Sequence, residues 1–245
     1  VLVGQLRNEA TRKAARTELV ALGREATPFL LEHARDPHFT VRWEVANIEG
    51  SVHDERAVEA LVENVLHDAD PHIRWRSMWA LSCYRDESQA LALLREALKS
   101  NDESTRWNAA VGLSMVDAAD GVALLDAGVL QADSWRRWEA INALGRVHGP
   151  SSVKSLVVAL GSRDVRDRTE AVMSLSKIPD EAAVDALLGA LLDASPDVRW
   201  RAALALGRSG EARVRGSIER VAASEQDPRV REQLKLALER IPAGP

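Results

Sequence analysis

A chain of 245 residues, 46% of them apolar, can bury a substantial core, as one large domain or as a stack of repeats. Its formal net charge of −5, from 32 basic and 37 acidic residues, argues against general binding along a nucleic-acid backbone, which selects a basic excess. One cysteine, Cys83, excludes an intrachain disulfide framework and a cysteine-built zinc site, and no apolar run reaches the roughly 18 residues that span a bilayer.

Taken in chain order, residues 1–35 hold a loosely patterned segment around Arg12 to Gly23 that is expected to form an N-terminal cap. DPHFTVRW then opens a helical pattern at Asp36, and DERAVEALVENVLHD (54–68) supplies its partner, with Asp54 as N-cap and Glu55 in the first turn. ADPHIRWRSMWALS starts at Ala69, two residues shorter from its Asp to its Arg, and pairs with DESQALALLREALKS (86–100), where Asp86 is the expected N-cap. ADSWRRWEAINALG comes next at Ala132 and PDEAAVDALLGALLD at 179–193, capped by Asp180. ASPDVRWRAALALG starts at Ala194, and Gly145 and Gly207 stand where their helices are expected to stop. DPRVREQLKLALERIPAGP closes the chain with an Arg-bearing helix and no partner after it, so 225–245 is expected to form the other cap.

These segments are copies of one unit. Arg42, Arg74, Arg106, Arg137, Arg168, Arg199 and Arg231 are separated by 32, 32, 31, 31, 31 and 32 residues, a period that means stacked helical hairpins. Apolar residues recur at three and four spacing, alternating strand patterns are absent, and Pro37, Pro71, Pro196 and Pro228 fall between helices, so the chain is expected to be all-α. The residue before the Arg is apolar at Val41, Ile73, Val198 and Val230 but is Thr105, Arg136 and Asp167 in three central copies, which are expected to be less regular.

On a helical wheel with the Arg at zero, positions three, four, six and seven later cluster on one side, as Ala202, Ala203, Ala205 and Leu206 do in one copy. The residue just after the Arg lies away from that cluster. There stand Trp43, Trp75, Trp107, Trp138 and Trp200, with Trp79 one turn beyond Trp75, all expected to project outward beside Glu44, Arg76, Asn108, Glu139, Glu170 and Arg201. Thr169 and Glu232 break the series. Truncating Trp107 is therefore expected to cost little stability, and truncating Leu113 much.

The repeated anchors resemble the HEAT-like repeat superfamily, particularly the phycobilisome-lyase-type repeats, whose D-P-x-V-R-x-x-A-x-x-A-L-G signature is met at 194–207 and at 69–82. The resemblance covers nearly the whole chain and implies one HEAT-like domain over 1–245, with regular repeats over 36–224 between the two caps. It also implies a right-handed α-solenoid of about seven hairpins, its Arg-bearing helices lining the concave surface, and a ladder that joins turn residues Asp70, Asp102, Asp133, Asp164 and Asp197 to the seven Arg.

No phosphate-binding loop, dinucleotide fingerprint, nucleophile elbow or zinc-protease motif is present in the sequence, and Cys83 has no evident His partner. The iron-dependent deoxyhypusine hydroxylases of HEAT-like fold carry His-Glu motifs, and no His-Glu dipeptide occurs here. The expected function is a non-catalytic scaffold without cofactor or metal that binds a protein or extended peptide in a Trp-lined groove, with no membrane or nucleic-acid partner. Neighbouring helices lie about 8–10 Å apart and a polyproline II chain advances roughly 9 Å per turn, so a proline-containing peptide fits the expected Trp pitch. Two enzymatic alternatives use the same groove: a HEAT-like DNA alkylation-repair glycosylase, for which Trp107, Trp138 and Glu139 offer a superficially similar set with no match to the family's catalytic Asp, and a bilin lyase. The absence of a leader pattern points to the cytoplasm.

Overall fold

The computed structural model describes residues 1–84, 88–131 and 133–242, and among these every regular element is helical. Asp86 lies outside the described residues. The chain divides into two compact units, Val1–Gly121 and Val122–Pro245. The first holds α1 (Leu2–Gln5), α2 (Glu9–Leu22), α3 (Thr27–Leu31), α4 (Phe39–Val52), α5 (Val58–His67), α6 (Pro71–Leu81), α7 (Ser88–Ala97) and α8 (Glu103–Met115). The second holds α9 (Val122–Val129), α10 (Ser134–Leu144), α11 (Pro150–Leu160), α12 (Val165–Leu175), α13 (Glu181–Ala190), α14 (Pro196–Ser209), α15 (Arg215–Ser224) and α16 (Pro228–Arg240). It is an all-α solenoid of helical hairpins. In the second unit the Arg-bearing helices α10, α12, α14 and α16 pack side by side in one layer and α9, α11 and α13 in the other.

Helix starts obey local chemistry. The carboxylates of Asp54, Asp70, Asp102, Asp133, Asp164, Asp180 and Asp227 each accept a hydrogen bond from a backbone N–H two or three residues on. Each such cap is worth about 1 kcal/mol. Pro71, Pro196 and Pro228 are the first residues of their helices, where a missing N–H costs nothing. Asp36 is not a cap: His38 stands at the N-cap of α4, four residues before Arg42, just as Asp70 precedes Arg74. The apparent two-residue excess in the first turn is therefore no insertion; Asp36 is the counterpart of Asp68.

That register exposes the real ladder. Every repeat Arg donates from its guanidinium to the carbonyl six residues before it: Arg42 to Asp36 (2.9 Å), Arg74 to Asp68 (2.9 Å), Arg106 to Ser100 (2.7 Å) and Arg137 to Gln131 (2.6 Å). Arg168 to Ser162 (3.0 Å), Arg199 to Asp193 (2.8 Å) and Arg231 to Glu225 (3.0 Å) complete the set. The same Arg also reaches the acid at the equivalent position of the next repeat, in Arg42–Asp68 (2.7 Å), Arg168–Asp193 (2.8 Å) and Arg199–Glu225 (2.8 Å). The ladder expected through Asp70, Asp102, Asp133, Asp164 and Asp197 is thus displaced by two residues or more. The first four of these carboxylates are occupied as caps, and Asp197 is exposed beside Arg229.

The central repeats compensate for missing acids. Ser162 stands where an acid would meet Arg137, and the buried Asp167 takes over, accepting from Arg137 Nε (2.5 Å) and Ser162 Oγ (2.7 Å). Thr105, likewise buried, donates its hydroxyl to the Asp102 carboxylate. We expect Arg106→Ala to cost about 1–3 kcal/mol in denaturant titrations, through one stranded carbonyl, and Arg199→Ala to lie at the upper end of that range because it also strands buried Glu225. Arg199 holds the Glu225 pKa down to about 2, so this contribution is complete above about pH 4.5 and is lost as pH falls toward 2.

Adjacent Arg-bearing helices touch at a repeated glycine. Eight residues after the repeat Arg stand Gly50, Gly145 and Gly207; a Cβ there would lie 3.1 Å from Ala80 Cα, 2.7 Å from Ser174 Cα and 2.8 Å from Ala237 Cα respectively. Gly145 does end its helix, but Gly207 does not: α14 runs on to Ser209 and stops at Gly210, whose φ is +67°. Gly207 is required by the close approach of α16.

One core position carries an acid. Seven residues after the repeat Arg stand Leu81, Leu113, Leu144, Leu175 and Leu206, all buried, but α4 has Glu49, which is wholly buried. Its Oε2 accepts from Thr27 Oγ1 (3.3 Å) and its Oε1 has no partner among the described residues. Burial, reinforced by the Asp54 carboxylate, pushes its pKa up to about 7. The folded state therefore holds this proton more tightly than the unfolded chain, and the associated stability falls as pH rises from about 4.5 to about 7. Glu49→Leu is expected to raise the denaturant midpoint, with a gain over wild type that widens across that interval; a constant gain would mean Glu49 is already charged.

Candidate functional site

In the first unit, α4 and α6 bring Trp43, Arg76 and Trp79 together. The Arg76 guanidinium carbon lies 4.3 Å from the Trp43 ring centroid and 4.7 Å from that of Trp79, so the cation is held between two indoles. Phe39, one turn before Trp43, stacks on it at 6.0 Å. Gly50 makes room for Trp79, since a Cβ there would stand 2.8 Å from the indole Cζ3. Burial lowers the Arg76 pKa, against the pull of Glu44, and its Nε has no hydrogen-bond partner among the described residues. Glu44 is itself buried and accepts from Arg16 at 3.3 Å. Glu44 and Arg76, expected as solvated groove charges, are internal partners, and the Trp43 and Trp79 faces already carry a cation. Trp75 is exposed, at 44%.

Trp107 overturns an expectation. It is 5% exposed, and Val111, one turn on, is buried with it. The wheel places Trp107 outward on the assumption that every Arg-bearing helix meets the same neighbours. Helix α8 instead packs against α5 and α7 and only slightly against α6. Asn108 marks the change: its Nδ2 donates to the Leu66 carbonyl in the last turn of α5 (2.9 Å), a scaffold role. Gly112 completes the contact, with Val65 and Leu94 each 3.2 Å from where a Cβ would be. The evenly pitched row Trp43, Trp75, Trp107, Trp138 therefore does not exist as four open indoles.

In the second unit, α10, α12 and α14 form a cleft of about 700 Å³ lined by Trp135, Trp138, Glu170, Met173, Arg166 and Arg201, among others. Trp135, 52% exposed, packs on Trp138 with centroids 5.2 Å apart. Trp138 Nε1 donates to Glu170 Oε2 (3.2 Å), and Asn142 donates to Oε1 (2.7 Å), which orients the carboxylate at the cleft wall. Arg201 donates to the Met173 sulfur at 3.2 Å. The structure thus brings together Trp138, Glu170 and Arg201 of the expected set; Trp200 and Glu139 are half-buried on the same layer and do not line this cleft. Trp135 is absent from the expected set, because it precedes its Arg by two residues; its spacing of three from Trp138 on one helix is the signal that could have found it.

Comparison with known proteins supports the repeat architecture. A family model described as HEAT repeats matches residues 2–82, 63–145, 129–197 and 153–239. The chain belongs to the HEAT repeat family. No curated protein sequence matches it. Among solved structures, yeast importin-beta (Kap95p) is similar with a TM-score of 0.62 at 10% identity, over 95% of this chain and 39% of that one. The E. coli protein YibA gives 0.52 at 14% identity, over 93% and 96% of the two chains. The CpcE–CpcF complex of phycocyanin lyase from Nostoc sp. PCC7120 gives 0.50 at 16%, over 88% and 94%. At these identities the likeness is one of fold, and this HEAT repeat scaffold spans well under half of importin-beta.

Proposed function

We propose that this HEAT repeat protein is a non-catalytic scaffold that holds a segment of a partner protein against its Arg-bearing helices. The observation that carries the reading is the open cleft of the second unit, where Trp135 presents more than half of its surface beside Trp138 and Met173. Large exposed aromatic side chains grouped with a few oriented polar atoms are what a recognition surface requires and what a solvated face avoids. Glu170 and Arg201 at the cleft wall supply fixed polar partners. The preferred ligand is an extended peptide, held in this cleft and not along a four-Trp row.

Trp135→Ala tests the reading. Because the side chain is half exposed, the variant is expected to keep the wild-type circular dichroism and denaturant midpoint within about 0.5 kcal/mol. It is expected to lose a stoichiometric protein that wild type retains from an extract of the source organism. Identical captured proteins for both forms would overturn the proposal. A coloured, covalently transferable ligand, or damaged-base excision from DNA, would replace it with a lyase or a glycosylase.

A further inference from the structure

The second unit carries a row of cations that the first does not. Nine residues after the repeat Arg stand Arg146, Lys177, Arg208 and Arg240 in four consecutive repeats, whereas the same position in the first unit holds Ser51, Cys83 and Met115. Lys177 is one of only five lysines, so the row keeps its charge through a change of residue type. A basic residue in the last turn of a helix or just past it, as Arg146 and Lys177 are, also complements the helix dipole. That explanation applies equally to α4, α6 and α8, which lack one, so it does not account for the row.

Among the described residues none of the four makes a hydrogen bond or an ion pair, while most arginines of the chain are engaged, as the ladder shows. Neighbouring protein displaces enough water from Arg146 and Lys177 to lower both from their ordinary values, and Arg146 adds repulsion to Lys177, against the weaker pull of Glu170 on each. Two carboxylates stand near this edge. Glu170 is held by Trp138 and Asn142, and Glu211 by Arg213.

The row also borders an apolar strip. Lys177 and Arg208 line a cleft of about 530 Å³ with Met173 and Leu204, five residues after their repeat Arg. The same position in the last repeat is Leu236, exposed like Met173. On α12, α14 and α16, cations therefore recur at one edge with apolar side chains beside them, while α10 carries its cation beside Asn142, all at the roughly 8–10 Å spacing of packed helices. An extended chain in polyproline II geometry returns every third side chain to the same edge after roughly 9 Å.

We propose that Arg146, Lys177, Arg208 and Arg240 bind the carboxylates of an acidic, extended segment of a partner protein, with an acidic residue at every third position and apolar side chains resting on Met173, Leu204 and Leu236. The proposal rests on the scaffold reading above and adds its charge and register. The cap Asp164 and the helix residues Asp197 and Glu232 lie toward the opposite ends of these helices beside Arg166 and Arg229, so the face is basic along one edge and mixed in charge along the other. The apolar side chains of Met173, Leu204 and Leu236 beside the cations favour a polypeptide, which can supply matching apolar groups, over a nucleic-acid strand bound through its phosphates.

The test is fluorescence anisotropy with the full chain and a labelled peptide of repeated Glu-Pro-Leu triplets. Controls are Lys-Pro-Leu triplets, a Glu-Pro-Leu composition with scrambled order, and an oligo-dT strand. We expect salt-sensitive binding of the Glu-Pro-Leu peptide alone, weakened on the order of tenfold or more by the double variant Lys177→Glu/Arg208→Glu. Lys154→Glu/Arg163→Glu changes net charge equally at exposed positions off the row and is expected to bind as wild type does. Equal loss in both double variants, equal binding of the scrambled or Lys peptide, tighter binding of oligo-dT, or no binding overturns the proposal. A partner whose capture needs Trp135 but is indifferent to Lys177→Glu/Arg208→Glu would overturn the charged edge and leave the scaffold reading standing.

Discussion

Trp107→Ala is expected to destabilise the protein by about 3–5 kcal/mol, the cost of emptying a buried indole site. The side chain is 5% exposed and lies on α8 where that helix meets α5 and α7, so neighbouring helices cannot follow it inward without breaking the Asn108–Leu66 hydrogen bond and the Gly112 contact. Trp75→Ala is the control. It removes the same side chain from the same repeat position, but from a site 44% exposed, and should shift the denaturant midpoint little. Similar midpoints for the two variants would show that Trp107 is not a core residue in solution. The comparison removes any effect of tryptophan loss on the fluorescence signal when circular dichroism is the probe.

Gly145→Val should be as damaging, by a different route. The first side-chain atom of any larger residue collides with Ser174 Cβ and Oγ and stands 2.7 Å from Ser174 Cα, which belongs to the backbone of α12 and has nowhere to rotate. Relief requires α10 and α12 to separate, which also breaks the bond from Ser174 Oγ to the Ile141 carbonyl (3.0 Å). Overpacking typically costs about 1–3 kcal/mol when side chains can adjust, and the backbone obstruction here should place the loss at or above that range. Gly189→Ala offers the contrast: it lies in α13 with nothing within 4 Å of its added Cβ, so it is expected to stabilise by about 0.4–1 kcal/mol. Destabilisation by Gly189→Ala as well would mean that the loss at Gly145 does not isolate the contact between α10 and α12.

What the sequence could reveal was whatever repeats. Seven Arg in register, acidic caps and the apolar positions of each Arg-bearing helix are periodic, and Ala202, Ala203, Ala205 and Leu206 are all buried as the wheel requires. The ladder acids were legible only in part. Asp36 and Asp70 both stand before a proline and a histidine, and that local likeness concealed a two-residue difference in role that the hydrogen bonds resolve. Departures from the period were harder still. Nothing in RWNAAVGL distinguishes a helix packed on α5 from one packed on α6, since burial of Trp107 depends on which helix arrives beside it. The Arg76 clamp is equally non-local: it needs Trp43 from one repeat, and Trp79 and Arg76 from the next, at offsets that no single copy contains. Glu49 was visible in principle as an acid in a leucine column.

The bond from each repeat Arg to its turn carbonyl has a consequence for how such a chain tolerates changes in length. The span from carbonyl to Arg is six residues in all seven copies, yet the copies themselves differ by one residue, so the variation is excluded from that turn and confined to the rest of the hairpin. Insertions have, in effect, a permitted side. A short epitope spliced beside Gly149 or Gly210, where the chain crosses from an Arg-bearing helix to its partner, leaves every one of these bonds intact and adds only a slowly growing loop-closure cost. The same epitope placed between Asp193 and Arg199 would uncouple two hairpins, which makes the direction of splicing a practical guide for attaching reporters to this protein.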